Sequence, residues 1–169
     1  MPDILLDVGD TSTFKGESLI EGFEDLIVCE SFSFGATQPL DLGRGINRTA
    51  GTMTIGEIQI SRQHDLSSTP LLHAMFSGKV FGTVKINFLK AASASDRAND
   101  LFLVVELTDA IFSSVSYSGA SGGSVMAESI SIGFTAIEFD YKVQSPTEGT
   151  LDGSIKASFN LLTQKSSQG

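Results

Sequence analysis

The sequence predicts a mainly β protein, a small β-barrel of about seven to eight strands with one short flanking α-helix. Three observations carry this. Apolar residues recur at every second position through most of the chain, which is the period of a half-buried strand. Only one segment, Ser67-Ser68-Thr69-Pro70-Leu71-Leu72-His73-Ala74-Met75-Phe76-Ser77-Gly78-Lys79, carries compelling helix signals. Two strands change parity part-way along, as strands do when they bend around a closed surface.

Residues 4–8 read as a first short strand, and residues 10–24, rich in Gly, Ser and Thr, as a connection. Residues 25–35 read as a strand. Its even positions are Leu26, Val28, Glu30, Phe32 and Phe34, and this Phe face is expected to point to a dry interior, with the odd positions Cys29, Ser31 and Ser33 toward something wetter. Residues 38–51 hold Pro39, Gly43, Arg44, Gly45 and Arg48 and read as a long loop with two cations in an acidic protein. The strand at 53–62 changes parity from Met53 and Ile55 to Ile58 and Ile60, so a bulge is expected at Gly56.

The helix is centred on residues 69–76. Hydroxyl residues precede Pro70, which suits a first helical position, and Gly78 supplies the stop. Strand 83–89 aligns Val84, Ile86 and Phe88, and residues 91–99 are small and polar, a turn region. Strand 101–117 leads through the Gly/Ser connection 119–124 into strand 126–143. The second of these changes parity from Ile132 and Phe134 to Ile137 and Phe139, which places a bend near Thr135-Ala136. The last strand is expected at 154–162, followed by a polar, frayed 164–169.

A chain of 169 residues is most economically one domain, 1–169. Twenty acids against eleven Lys and Arg leave a net charge of -9, which disfavours nucleic acid and anionic membranes as partners. Twelve Phe, two Tyr and no Trp suit dry interiors and dry subunit contacts better than stacking on sugars. Cys29 is the single cysteine, so no intrachain disulfide is possible, and its apolar strand makes it a buried small residue. The N-terminus lacks a basic region followed by a long apolar run, and no apolar stretch approaches a membrane span. The expectation is synthesis in the cytoplasm and, if the protein leaves the cell, export without a cleaved signal.

Catalytic constellations are absent from the sequence. His64-Asp65 is an adjacent pair with no nucleophile motif beside it, and His73 sits in the helix. No His/Cys spacing matches zinc, and no phosphate loop or nucleophile elbow occurs. Glu106, Asp109, Glu138 and Asp140 could build a carboxylate pair, but little is present for a sugar to stack on. No catalytic, cofactor or metal residue is assigned, and the chain is not expected to be an enzyme.

Five segments occur in a characteristic order: Lys15-Gly16-Glu17-Ser18; Ile27-Val28-Cys29-Glu30-Ser31-Phe32-Ser33-Phe34-Gly35; the Ser68-Thr69-Pro70 helix start through Ser77-Gly78-Lys79; the long strand from Val104 to Ser116 that ends on Ser113-Ser114; and Glu128-Ser129-Ile130-Ser131-Ile132-Gly133-Phe134, continuing to Tyr141. In order and spacing they resemble the Hcp family, the haemolysin-coregulated proteins of the type VI secretion inner tube. Where family members often carry Trp, this chain has Phe32, Phe34 and Phe159.

The resemblance implies a fold similar to phage tail-tube proteins and homo-hexameric rings that stack into a hollow tube. It implies sheath and spike proteins as partners and secreted effectors as cargo in the lumen. Under it, Arg44 and Arg48 are candidates for ring-to-ring stacking, and Ser31 and Ser33 for lining the lumen; the family's pore-facing serine best matches Ser33. The alternatives are a monomeric ligand- or carbohydrate-binding barrel and a phage-type tail-tube protein.

Overall fold

The computed structural model describes residues 3–41, 49–90, 100–123, 125–144 and 151–169. The chain opens with β1 (Asp3–Asp7) and, after a loop, runs through β2 (Ile27–Cys29), β3 (Ser31–Ser33), β4 (Ala36–Thr37) and β5 (Leu40–Asp41). It returns through β6 (Thr49–Ala50), β7 (Thr54–Ile55) and β8 (Ile58–Gln63) to helix α1 (Ser68–Phe76). Then follow β9 (Phe81–Leu89), β10 (Leu101–Ser118), β11 (Ala127–Gly133), β12 (Ala136–Gln144), β13 (Leu151–Asn160) and β14 (Lys165–Gln168).

The mainly β class with one helix is as expected. Of the stretch 38–51, expected as a loop, the described residues 38–41 and 49–51 instead belong to a paired arm. Leu40 pairs with Ala50 and Asp41 with Thr49, continuing the β4–β7 and β3–β8 pairings. Gly51 N–H donates to Pro39 O at 2.8 Å, so backbone bonds hold this limb together as well. Residues 42–48, with Arg44 and Arg48, lie outside the described residues. The expected irregularity at Gly56 is present: its N–H bonds to Gly35 O at 2.8 Å, and the arm steps register between β7 and β8.

One parity expectation is corrected. In β2 the buried residues are Ile27 and Cys29, while Val28 is 44% exposed. From β3 onward Phe32 and Phe34 turn inward as expected. Glu30 is the extra residue between these settings: its N–H already bonds to Ser61 O on β8, while β2 still pairs with β1. Consecutive Glu30 and Ser31 therefore both face outward.

The spine is β10. Its first half pairs with β9 on one edge and β12 on the other, and its second half pairs with β11. A bulge between Phe112 and Ser114 shifts the register, and Asp109 takes a positive φ of 48°. The expected bend near Thr135-Ala136 separates β11 from β12, held by Thr135 N–H on Thr108 O at 3.0 Å. Here the sheet forks. β11 continues to β8 and β3, whereas β12 leads to β13 and β14.

The expected closed barrel is therefore corrected too. Among the described residues no continuous ladder runs around the strands, because β2 and β3 hand over between different partners and the β12–β13–β14 wing leaves the spine. The tail expected to fray pairs as β14, with Ser158 and Ser167 hydroxyls 2.7 Å apart.

Inside the fold, Ile58, Ile60, Val84, Ile86, Val105, Leu107, Ile130 and Ile132 are fully or almost fully buried. Each such side chain contributes about 1.5–3 kcal/mol of transfer free energy. Helix α1 adds Leu71 and Ala74 to this core. Ser67, expected among the hydroxyl caps, sits at the N-cap but makes no capping bond; its hydroxyl is used elsewhere, and Pro70 falls within the first turn. The stop is as expected: Gly78 has φ 64°, and Lys79 N–H reaches back to Ala74 O at 2.9 Å. Among the described residues no helix is long and apolar enough to cross a membrane.

Candidate functional site: a polar sheet face over a buried arginine

Strands β3, β8, β11 and the second half of β10 form a four-stranded antiparallel sheet whose outer face is uncharged and polar. Register aligns Ser31, Ser61, Ser129 and Ser116 in one transverse row. The next row holds Ser33, Gln59, Ser131 and Ser114. Alternation builds this face: each of these residues is flanked along its strand by inward neighbours such as Phe32, Ile60, Ile130 and Val115. Ser31 and Ser61 hydroxyls lie 2.6 Å apart, and Ser114 donates to Ser131 at 3.0 Å. At the rim, Gln63 Nε2 donates to Glu30 Oε1 at 2.7 Å.

Both edges of this sheet lack a ladder partner among the described residues. β3 pairs only with β8, and the β9–β10 ladder ends at Phe81–Ala110, leaving β10 open from Ile111 on. Four antiparallel strands make these two edges run in opposite directions.

Behind the polar face, on the inward side of β8, lies Arg62, fully buried. Its guanidinium hydrogen-bonds through Nε, Nη1 and Nη2, and Nη2 also lies in ion-pair range of Glu128. Nε and Nη2 meet Glu128 Oε2 at 2.9 and 2.8 Å, and Nη1 reaches Asp65 Oδ1 at 3.0 Å and Ser67 Oγ at 2.7 Å. Nη2 donates to Ser68 Oγ at 2.6 Å. The first residues of α1 are thus pinned to β8 and β11 by one guanidinium. Glu128 Oε1 and the Tyr117 hydroxyl, on directly paired residues, are buried without a hydrogen-bond partner among the described residues. Burial first, and the Glu128 carboxylate second, push the Tyr117 hydroxyl above its ordinary pKa.

A family model described as "Type VI secretion system effector, Hcp" matches residues 6–141. The chain belongs to the Hcp family. It is a type VI secretion system tube and effector protein. It is 25% identical over 159 residues to protein hcp1 of Pseudomonas aeruginosa, covering 94% of each chain. A solved structure of a type six secretion system protein superposes with TM-score 0.85 at 22% identity, covering 99% of this chain and 100% of the other. Hcp1 from Salmonella typhimurium gives 0.73 at 22% identity, covering 98% and 99%. These two likenesses concern the fold.

In this Hcp protein the residues expected to matter fall in different places. Ser31 and Ser33 lie together on the polar face, in register with Ser61 and Gln59. Arg44 and Arg48 lie outside the described residues. His64 stacks edge-on against Tyr117, with ring centroids 5.5 Å apart, while Asp65 binds Arg62 and Ser67, so the two form no acid–base pair. Glu106 and Glu138 face each other across β10 and β12 but pair with Lys85 at 3.6 Å and Lys156 at 2.7 Å. Burial pushes the Cys29 thiol up to about 12, outweighing the opposing pull of Arg62, so it stays protonated and unreactive.

Sequence reasoning missed Gln59, Ser61, Ser114, Ser116, Ser129 and Ser131 as members of the face. The signal was present as alternating serines on two strands; their alignment with Ser31 and Ser33 required the register.

Proposed function

We propose that this Hcp chain, acting as one domain, closes into a hexameric ring whose inner wall is the β3–β8–β11–β10 polar face, with Ser31 and Ser33 lining the lumen. The observation that carries this is the pair of open, oppositely running edges on one small-residue polar sheet. The β3 edge of one copy can meet the β10 edge of the next as an antiparallel pair, head to tail, which is the heterologous contact a ring needs. A packed interior of buried aliphatic residues supports a structural role over a ligand held within one subunit.

Rings stack into a tube through the stretch 38–51, with Arg44 and Arg48 meeting acids of the next ring. Sheath and spike proteins and secreted effectors are its partners, and the protein leaves the cytoplasm through the secretion apparatus itself.

Native mass spectrometry and negative-stain micrographs of purified protein test the ring. Closed rings with a central hole are expected, and a strictly monomeric particle at high concentration overturns it. For stacking, the double variant Arg44→Glu, Arg48→Glu is expected to keep single rings and lose stacked tubes. Tubes of normal length from that variant remove the two arginines from the stacking contact.

A further inference from the structure

The polar sheet face carries charge only at its two ends. At one end Glu30 stands outward beside Ser31, and its carboxylate accepts from Gln63 Nε2. Glu57 stands at the other. The β11–β8 register, carried one residue past Ile132 and Ile58, sets Glu57 beside Gly133. Gly133 follows Ser131 by two positions and so shares the outer side. A Cβ built on Gly133 would lie 3.5 Å from Glu57 Oε1, so this carboxylate rests over the glycine on the same face as the serines. Both glutamates are exposed. The four strands of the sheet hold one cation, Arg62, which lies buried behind the face and is matched by Glu128 and Asp65. Among the described residues no Lys or Arg stands on the face itself.

Between the two ends the hydroxyls largely satisfy one another. Ser31 bonds to Ser61, Ser114 to Ser131, and Ser113 Oγ donates to Ser131 O at 3.2 Å. Hydroxyls engaged in this way present few donors at fixed angles, so the rows discriminate little between one uncharged side chain and another. Charge is the signal that remains. Gln63, which holds Glu30, lies at the far end of β8 from Glu57, roughly 20 Å away at the rise of a strand. Copies joined through the β3 and β10 edges repeat the two glutamates as two acidic belts, one at each end of the inner wall. A concave wall of one sign over a low-dielectric interior focuses its field into the hollow. At physiological salt that field decays over about 8 Å, so it acts on whatever lies along the wall.

We propose that this face takes a basic polypeptide: segments bearing lysine and arginine are held along the serine rows between the Glu30 and Glu57 belts, and acidic segments are turned away. The inference rests on the ring reading above and names the chemistry of the cargo that the inner wall accepts. Charge complementarity carries it, since the face offers carboxylates at both ends and no cation to meet an acid. Attraction of this kind is long-ranged and makes few fixed bonds, so it retains a cargo chain without requiring one sequence.

The test measures binding of three labelled peptides of equal length, one lysine-rich, one glutamate-rich and one of serine and glycine, to the purified protein by fluorescence anisotropy. Native mass spectrometry establishes in parallel that each variant closes into rings. The parent is expected to bind the lysine-rich peptide about tenfold or more tighter than the uncharged one. The double variant Glu30→Gln, Glu57→Gln is expected to lose that preference, and Glu30→Lys, Glu57→Lys to prefer the glutamate-rich peptide. With a net charge of -9 the whole surface attracts cations, so Glu21→Gln, Glu24→Gln serves as the control: it removes the same charge from the exposed loop before β2 and is expected to bind as the parent does. An equal loss in that control overturns the proposal, because net charge alone then accounts for binding. Closed rings that bind the three peptides alike also overturn it and leave the ring reading standing. A protein that forms no rings overturns the ring reading and this inference with it.

Discussion

Arg62→Ala is expected to destabilise the protein by about 3–5 kcal/mol, the range for breaking a buried ion pair from one side. The loss comes less from the missing bonds than from what stays behind. Glu128 would keep its charge in the interior with only Ser68 donating to it, and Asp65 would lose its cation. Urea unfolding of the two proteins measures the difference. The double variant Arg62→Met, Glu128→Leu is expected to recover most of it, because no charge is then left unpaired on the two strands. A single variant within about 1 kcal/mol of the parent would show that water reaches this site. A structural role for the guanidinium also predicts that α1 detaches first, since Ser67 and Ser68 are held by the same group.

The second large effect is expected at Gly16. A Cβ there would lie 2.1 Å from Leu26 O and 2.6 Å from Ile27 Cα, both backbone atoms at the start of β2. No rotamer relieves such an overlap, so the loop or the strand must move. Gly16→Ala is expected to cost about 3 kcal/mol or more, seen as a lower midpoint in thermal or urea unfolding. Gly82→Ala, where a Cβ meets nothing within 4 Å, serves as the matched control and should stay within about 0.5 kcal/mol of the parent. Equal stability of both variants would mean that the loop frame is loose.

Local patterns announced much of the fold and little of the site. The helix was readable because proline and glycine bracket a short apolar run, and the breaks at Gly56 and Thr135 because apolar parity flips there. The break at Glu30 was not readable. Leu26, Val28, Phe32 and Phe34 share one parity on both sides of Glu30, and only the change of partner from β1 to β8 reveals that Glu30 is the extra residue. The Arg62–Glu128 pair spans 66 positions, a distance no local pattern bridges. Serines 114, 116, 129 and 131 alternate openly, yet a serine stripe means one thing on an isolated hairpin and another when four strands align it. The arm was hidden by its composition: proline and glycine suggest a loop even where backbone bonds continue the hairpin.

The pairing of β1 with β9 has a consequence in time. It joins Ile4 to Phe88 and Leu6 to Ile86, among the longest separations along the chain in the whole sheet. During synthesis β1 emerges first, and the strand that covers its second edge comes some eighty residues later. At about 5–20 residues per second, Leu5, Leu6 and Phe14 wait several seconds for that cover. The β10–β11–β12 hairpin, by contrast, closes over a short connection and can form as soon as it is made. β9 precedes β10, β11 and β12 in the chain, so the β1–β9 seam can close while the rest of the sheet is still being made. β8 waits some seventy residues for β11, so the polar sheet with its two open edges is completed only after that seam, and an unfinished copy cannot offer both edges at once.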